Sequence, residues 1–175
     1  MNRFYTNTAR TLSGLLVCLL LAACEKPIQA TYNDAASAFH PSDECHVCGM
    51  VIDEFPGPKG EVVEPAGVKK FCSTAEMLSW WLQPENHHGN ARLYVHDMGR
   101  SSWDSPDDSH LIDAKNAFYV IGTELKGSMG VVLASFSEQQ AAEKLAADKG
   151  GRVLRFYEIN RKLLQQQTAM SHMTH

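Results

Sequence analysis

The sequence predicts an α+β fold made of two small repeated strand-strand-helix-strand units, and three observations carry that reading. Twice, a pair of short apolar runs broken by turn residues leads into a helix start, at Ser73 and again at Ser137. Both starts have the form of a capping box, Ser73-Thr74-Ala75-Glu76 and Ser137-Glu138-Gln139-Gln140. The entries are also alike, Phe71-Cys72-Ser73 against Phe136-Ser137, so a weak internal duplication is expected.

Taken in order, residues 1–23 read as an export signal. Arg3 and Arg10 precede an apolar core from Leu12 to Leu21, and no acidic residue occurs before Glu25. That core is too short to span a bilayer stably. It ends in Leu21-Ala22-Ala23-Cys24, which resembles a bacterial lipobox, so Cys24 is the expected acylation site and new N-terminus. The plainer alternative is an ordinary signal followed by a chance cysteine. Residues 24–43 are rich in Ala, Ser, Asn, Asp and Pro and read as a flexible tether.

The folded domain is expected over 44–160, with one unit at about 44–98 and the other at about 110–160. Met50 to Phe55 is apolar enough for a strand, and Pro56-Gly57-Pro58-Lys59-Gly60 is a strong turn. Strands over Glu61–Val63 and Val68–Cys72 turn at Pro65-Ala66-Gly67. A helix then carries Met77, Leu78, Trp80, Trp81 and Leu82 and stops at Pro84, and the alternation in Arg92 to Asp97 suits a strand. The second unit supplies strands near Ala117–Ile121 and Val131–Phe136, a helix ending at Gly150-Gly151, and a strand over Val153–Tyr157. Residues 161–175 read as a disordered tail, although Met170, His172, Met173 and His175 also suit an accessory metal-collecting segment.

Loss of Arg3 and Arg10 leaves 14 Lys and Arg against 20 Asp and Glu, which argues against a nucleic-acid partner. Beyond Cys18 in the signal and Cys24, the cysteines are Cys45, Cys48 and Cys72, an odd set that makes a disulfide framework improbable. A closed zinc site would need a fourth ligand, and no second close pair follows.

The chemistry centres on Cys45-His46-Val47-Cys48-Gly49-Met50. Haem attachment would need His after the second cysteine, where Gly49 stands. A thioredoxin-like pair belongs where a strand gives way to a helix, whereas this pair opens the domain. Two thiols and a thioether on one tight turn favour Cu(I), so Cys45, Cys48 and Met50 are candidate ligands. Met50 could equally be core filler. Met129, in Lys126-Gly127-Ser128-Met129-Gly130, is a further candidate, because flanking glycines suit close approach to a ligand better than a core role. His96-Asp97-Met98 offers three donors at a strand end, while Cys72 reads more readily as a small buried residue than as a ligand. His46 and His87-His88 read as solvated. No general base, nucleophile or oxyanion device is identifiable, so no catalysis is expected.

The lipobox, Cys45-x-x-Cys48-Gly49-Met50, Phe71-Cys72-Ser73-Thr74, Tyr94-Val95-His96-Asp97-Met98, Ala117-Phe118-Tyr119-Val120, Met129-Gly130 with Leu133-Ala134-Ser135-Phe136, and Gly150-Gly151-Arg152-Val153-Leu154-Arg155-Phe156 together resemble the NosL family over nearly the whole chain after residue 23. The resemblance implies a periplasm-facing, membrane-anchored lipoprotein that binds Cu(I) and serves as a copper chaperone in the assembly of nitrous oxide reductase during denitrification. It also implies a fold of two small α+β repeats and carries Cys45, Cys48, Met50 and Met129 over as metal ligands. The competing expectation is a tethered thiol-disulfide reductase using Cys45 and Cys48. A lipoprotein with incidental thiols is the third.

Overall fold

The computed structural model describes residues 32–87 and 89–173. The expected signal and Cys24 lie outside the described residues. What is described is α+β, with three α-helices and two antiparallel sheets. No helix among the described residues is long and apolar enough to cross a membrane.

The first sheet begins with a hairpin, β1 (Gly60–Glu64) and β2 (Gly67–Phe71), which turns through Pro65-Ala66 with Glu64 opposite Gly67. Helix α1 (Thr74–Trp81) follows, then β3 (Arg92–His96), which pairs with the other edge of β1. A short strand, β4 (Leu111–Asp113), adds to β3 and gives the order β2-β1-β3-β4. This corrects the expected boundary between the units, since residues placed in the second one complete the first sheet.

The second sheet is built from β5 (Phe118–Ile121), β6 (Leu133–Phe136) and β7 (Arg152–Arg155), in the order β6-β5-β7, with α2 (Gln139–Lys149) between β6 and β7. Element order and pairing therefore match in the two sheets: a strand, its hairpin partner, a helix, and a third strand antiparallel to the first.

Central strand β5 is buried on both sides. Tyr119 and Ile121 enter the main core, where Phe71, Met77, Leu78, Trp81, Leu93 and Val95 also sit. Val120 turns to a smaller cluster with Ala134, Phe136 and Ala142 beneath α2. Helix α1 lies close over β1 at Gly60, where any Cβ would come within 2.7 Å of the Met77 sulfur.

Four expectations are overturned by the structure. Met50 to Phe55 is not a strand but a single bridge, Glu44 with Val51, followed by a 3-10 turn over Ile52–Glu54. Only Ile52 of that turn is buried, and no neighbouring strand takes up its backbone. Helix α2 lacks the expected capping box: its N-cap is Glu138, which makes no side-chain cap bond. The Ser137 hydroxyl has instead been taken by Asp97 Oδ2 at 2.5 Å. At α1 the Ser73 hydroxyl does accept from the Glu76 amide at 3.1 Å.

The third concerns residues read as tether. Residues 34–43 run along the first sheet, where Ser37 gives its amide (2.7 Å) and hydroxyl (2.8 Å) to the buried Glu61 carboxylate. The Phe39 amide donates to Asp108 at 2.7 Å, and the Tyr94 hydroxyl to the Asp34 carbonyl at 2.7 Å. The fourth is the tail, since α3 (Arg161–Met173) packs on α1 and buries Leu163 and Leu164. An apolar pair one turn into a polar stretch was enough to dock it.

Candidate metal centre

The cysteine loop is closed at its base by backbone bonds, Cys45 to the Met50 carbonyl and Ile52 to the Asp43 carbonyl, each 2.9 Å. At its tip the Gly49 amide returns to the Cys45 carbonyl at 2.9 Å. Gly49 takes φ +70° there, a conformation that costs a side-chain-bearing residue about 1 kcal/mol or more. The loop is then fastened to β2, because the His46 amide donates to the Lys70 carbonyl at 2.8 Å and Lys70 Nζ pairs with Asp43 at 2.6 Å. His46 stands edge-on to Phe71 and Trp80.

That fastening brings the loop over the residue that ends the hairpin. The sulfurs of Cys45, Cys48 and Cys72 all lie within 4.8 Å of one another, and Cys48 Sγ is 3.8 Å from Cys72 Sγ. All three cysteines are free. Cys72 is fully buried and Cys45 nearly so, while Cys48 is half-buried at the edge of the main core. Cys72 is thus buried, as expected from the sequence, yet it forms the floor of a three-sulfur cluster.

The three thiols are not equivalent. Hydrogen bonding from Cys72, and then from the backbone amides of Cys48, Cys72 and Val47, outweighs burial and holds the Cys45 pKa below that of an ordinary thiol. Cys72 is pushed up, because it is the donor in that pair and is buried beside the Cys45 charge. The two thiols act as one pair, in which Cys45 is the more acidic partner and Cys72 the less acidic. Ser128 approaches from the loop between β5 and β6, its hydroxyl 3.2 Å from Cys72 Sγ and 3.3 Å from the Cys72 carbonyl. Glu76, in the first turn of α1, has its pKa raised by burial and then by the Cys45 charge.

The other candidates separate into groups. Met129 follows Ser128 directly, is 47% exposed, and lines a small cleft with Ala75, Glu76 and Ser79. Met50 packs partly against the main core. His96, Asp97 and Met98 do not join the cysteines. The His96 ring accepts from the Lys59 amide at Nδ1 (3.1 Å) and meets Asp108 through Nε2 (3.0 Å), so both nitrogens are occupied. Asp97 accepts from the Gly99 amide and from the amide and hydroxyl of Ser137. Met98 packs in the smaller cluster. His87 stacks on Trp81 with ring centres 4.6 Å apart, and His88 lies outside the described residues.

Sequence reasoning undervalued Cys72 and passed over Ser128. The signal for Cys72 was present, a third thiol directly before a helix N-cap. Nothing local marked Ser128, whose role depends on a loop that returns from the second sheet.

Comparison with known proteins follows the same lines. The model of the NosL family matches residues 36–164. The copper-binding lipoprotein NosL of Stutzerimonas stutzeri is 58% identical over 172 residues, covering 98% of this chain and 90% of that protein. The copper-binding lipoprotein NosL of Achromobacter cycloclastes is 32% identical over 152 residues, 81% of this chain and 78% of that protein. The crystal structure of the copper chaperone NosL from Shewanella denitrificans superposes with a TM-score of 0.71 at 44% identity, covering 74% of this chain and 98% of that one.

Proposed function

The chain belongs to the NosL family, and from that premise we propose that it is a lipid-anchored metallochaperone that carries Cu(I) for the maturation of nitrous oxide reductase. The observation that carries this reading is the cluster of three sulfurs within 4.8 Å, a donor set that suits a soft monovalent ion better than zinc or a hard cation. Relatives named for copper binding and copper chaperoning support the cargo. Acylation of Cys24 supplies the anchor and keeps the domain at a membrane, facing the periplasm.

In this reading Cys45, Cys48 and Cys72 are the primary ligands, and Met50 and Met129 are thioether candidates. Cys45, the more acidic of the pair, receives the ion. Cys72 gives up its proton as the metal takes the place of that proton between the two sulfurs. Met129 sits on a loop whose preceding residue already touches Cys72, so it is the better placed thioether. Met50, packed into the core, contributes less.

The same geometry explains release. Cys48 is the least buried of the three and follows exposed Val47, so a donor from an acceptor protein can enter there and Cys48 can leave first. Cys45 and Cys72 hold the ion until the exchange is complete. This is ligand exchange without a catalytic group, and the chain acts as a carrier rather than an enzyme.

The test is competition between the reduced full-length protein and a Cu(I) chelator, followed by incubation with copper-free nitrous oxide reductase. The protein should win one equivalent and the reductase should gain it. Retention of wild-type competition by the Cys45→Ser, Cys48→Ser double variant would overturn the reading.

A further inference from the structure

We propose that Lys59 is the counter-charge of the cysteine site, a positioning residue whose ammonium group offsets the negative charge of the metal-thiolate complex and so sets how firmly Cu(I) is held. This deepens the reading of Cys45, Cys48 and Cys72 as ligands and rests on it.

The need for such a charge follows from the ligands. Cu(I) bound by two thiolates leaves a net charge of −1, and by three a net charge of −2. Two of these sulfurs are buried, and an uncompensated buried anion is costly.

The β-ladder places a cation there. Gly60 pairs with Phe71 on one side and Val95 on the other. One step back, the register sets Lys59 between Cys72 and His96, and residues opposed across antiparallel strands project to the same face. On the His96 side the Lys59 amide on His96 Nδ1 and the His96 amide on the Lys59 carbonyl (3.3 Å) hold this step, and on the other side it is the step that follows Gly60 opposite Phe71.

Lys59 is also unusual for a lysine. It is only 4% exposed, and among the described residues no carboxylate pairs with it. Its Nζ rests on the carbonyls of Phe55 and Pro56. Burial lowers its pKa to about 8, against the opposing pull of the cysteine site at Cys72, first, and of Asp53. A buried lysine without a carboxylate is rare. The cysteine cluster and Asp53 are the acidic groups that act on it, and of the two only the cluster gains negative charge when Cu(I) is bound.

The second sheet supplies an internal control. There Phe118 pairs with Phe136, so the same step back sets Ala117 opposite Ser137. The half with a thiol at this position has an ammonium across from it, and the half with a hydroxyl has a methyl group. The competing role for Lys59 is a staple for the Phe55 to Pro58 turn. That role accounts for the two carbonyl contacts, but it does not require a charge and a neutral amide would serve it.

Three variants separate the roles. Lys59→Met and Lys59→Gln should each lose roughly tenfold to a hundredfold in Cu(I) affinity by chelator competition, and Lys59→Arg should stay within a few-fold of wild type. The copper-free Lys59→Met protein should melt at or above the wild-type temperature, because an unpaired buried charge has gone. Lys59→Gln keeps N–H donors for the turn, so folding and charge are read apart. Wild-type affinity in Lys59→Met or Lys59→Gln would overturn the proposal, as would affinity losses matched by equal losses of copper-free stability, or failure of both variants to fold. Cys45→Ser, Cys48→Ser and Cys72→Ala run alongside: if they keep copper, the ligand reading itself falls, whereas copper loss in them with a silent Lys59→Gln sinks only the counter-charge.

Discussion

The two halves of the molecule share an element order and differ in what they do with the junction between second strand and helix. In the first half that junction is Phe71-Cys72-Ser73, where the thiol is buried and Ser73 caps α1. In the second it is Phe136-Ser137-Glu138, where the serine points away from its helix to Asp97 and α2 starts without a side-chain cap. Each junction is met from the opposite half: Ser128 reaches Cys72, and Asp97 reaches Ser137. The same order of elements thus carries a thiol cluster in one half and a hydrogen-bonded clasp in the other. The packing differs accordingly. Helix α1 buries Thr74, Ala75, Met77, Leu78 and Trp81, while α2 buries Ala142 alone. A site that holds three sulfurs in register gains from a rigid floor, and the half with the more deeply buried helix offers it.

The comparison is broken most directly at the thiols. Cys45→Ser and Cys48→Ser should each weaken Cu(I) binding by orders of magnitude. Cys72→Ala should follow them, and Ser137→Ala, its counterpart, should leave Cu(I) competition unchanged. Copper retention in Cys72→Ala would return that residue to the role of a small core side chain and erase the contrast between the junctions.

Stability should show the reverse pattern. Ser137→Ala leaves Asp97, which is 1% exposed, without one of its three donors and should cost about 1–3 kcal/mol in denaturant unfolding. A change within error would mean that the second junction is not a clasp.

Met129 sharpens the contrast, since the proposed site would borrow it from the second half. Met129→Leu should lower Cu(I) affinity about tenfold while changing stability by less than ~1.5 kcal/mol. Unchanged competition would confine the site to the cysteine half. Ser128→Ala should have a smaller effect, a few-fold loss from a less firmly oriented Cys72.

The smallest effect expected is a pH dependence. His96 is held below its usual pKa first by burial, then by the nearby Lys59 charge, against the pull of Asp108 and Asp107. The folded protein therefore binds this proton less readily than the unfolded chain. The stability this contributes is complete above about pH 6.5 and drains as pH falls towards the depressed value. His96→Gln should flatten that part of the stability curve. Identical curves for variant and wild type between pH 7 and 5 would show that the neutral ring is not part of the clasp around β3.

Local sequence was sufficient for the α+β class, both hairpins, the two main helices and the cysteine turn. Each rests on short-range chemistry: alternation in the strands, a serine hydroxyl at the start of α1, and Gly49 at a positive φ. Local signals failed wherever a side chain had a distant partner to choose. Ser137 looked like a cap and became a ligand for Asp97, 40 residues away. Residues 34–43 looked like tether and were drawn down by Glu61, Tyr94 and Asp108. Lys59 has no feature of its own that marks a site, and Cys72 has only its place before the cap of α1. The hairpin register sets one opposite the other, and a single amide, His46 to the Lys70 carbonyl, lays the cysteine loop on top. The residue types of the site are therefore a property of the sequence, whereas its membership was decided by strand pairing, which joins residues by register and not by distance along the chain.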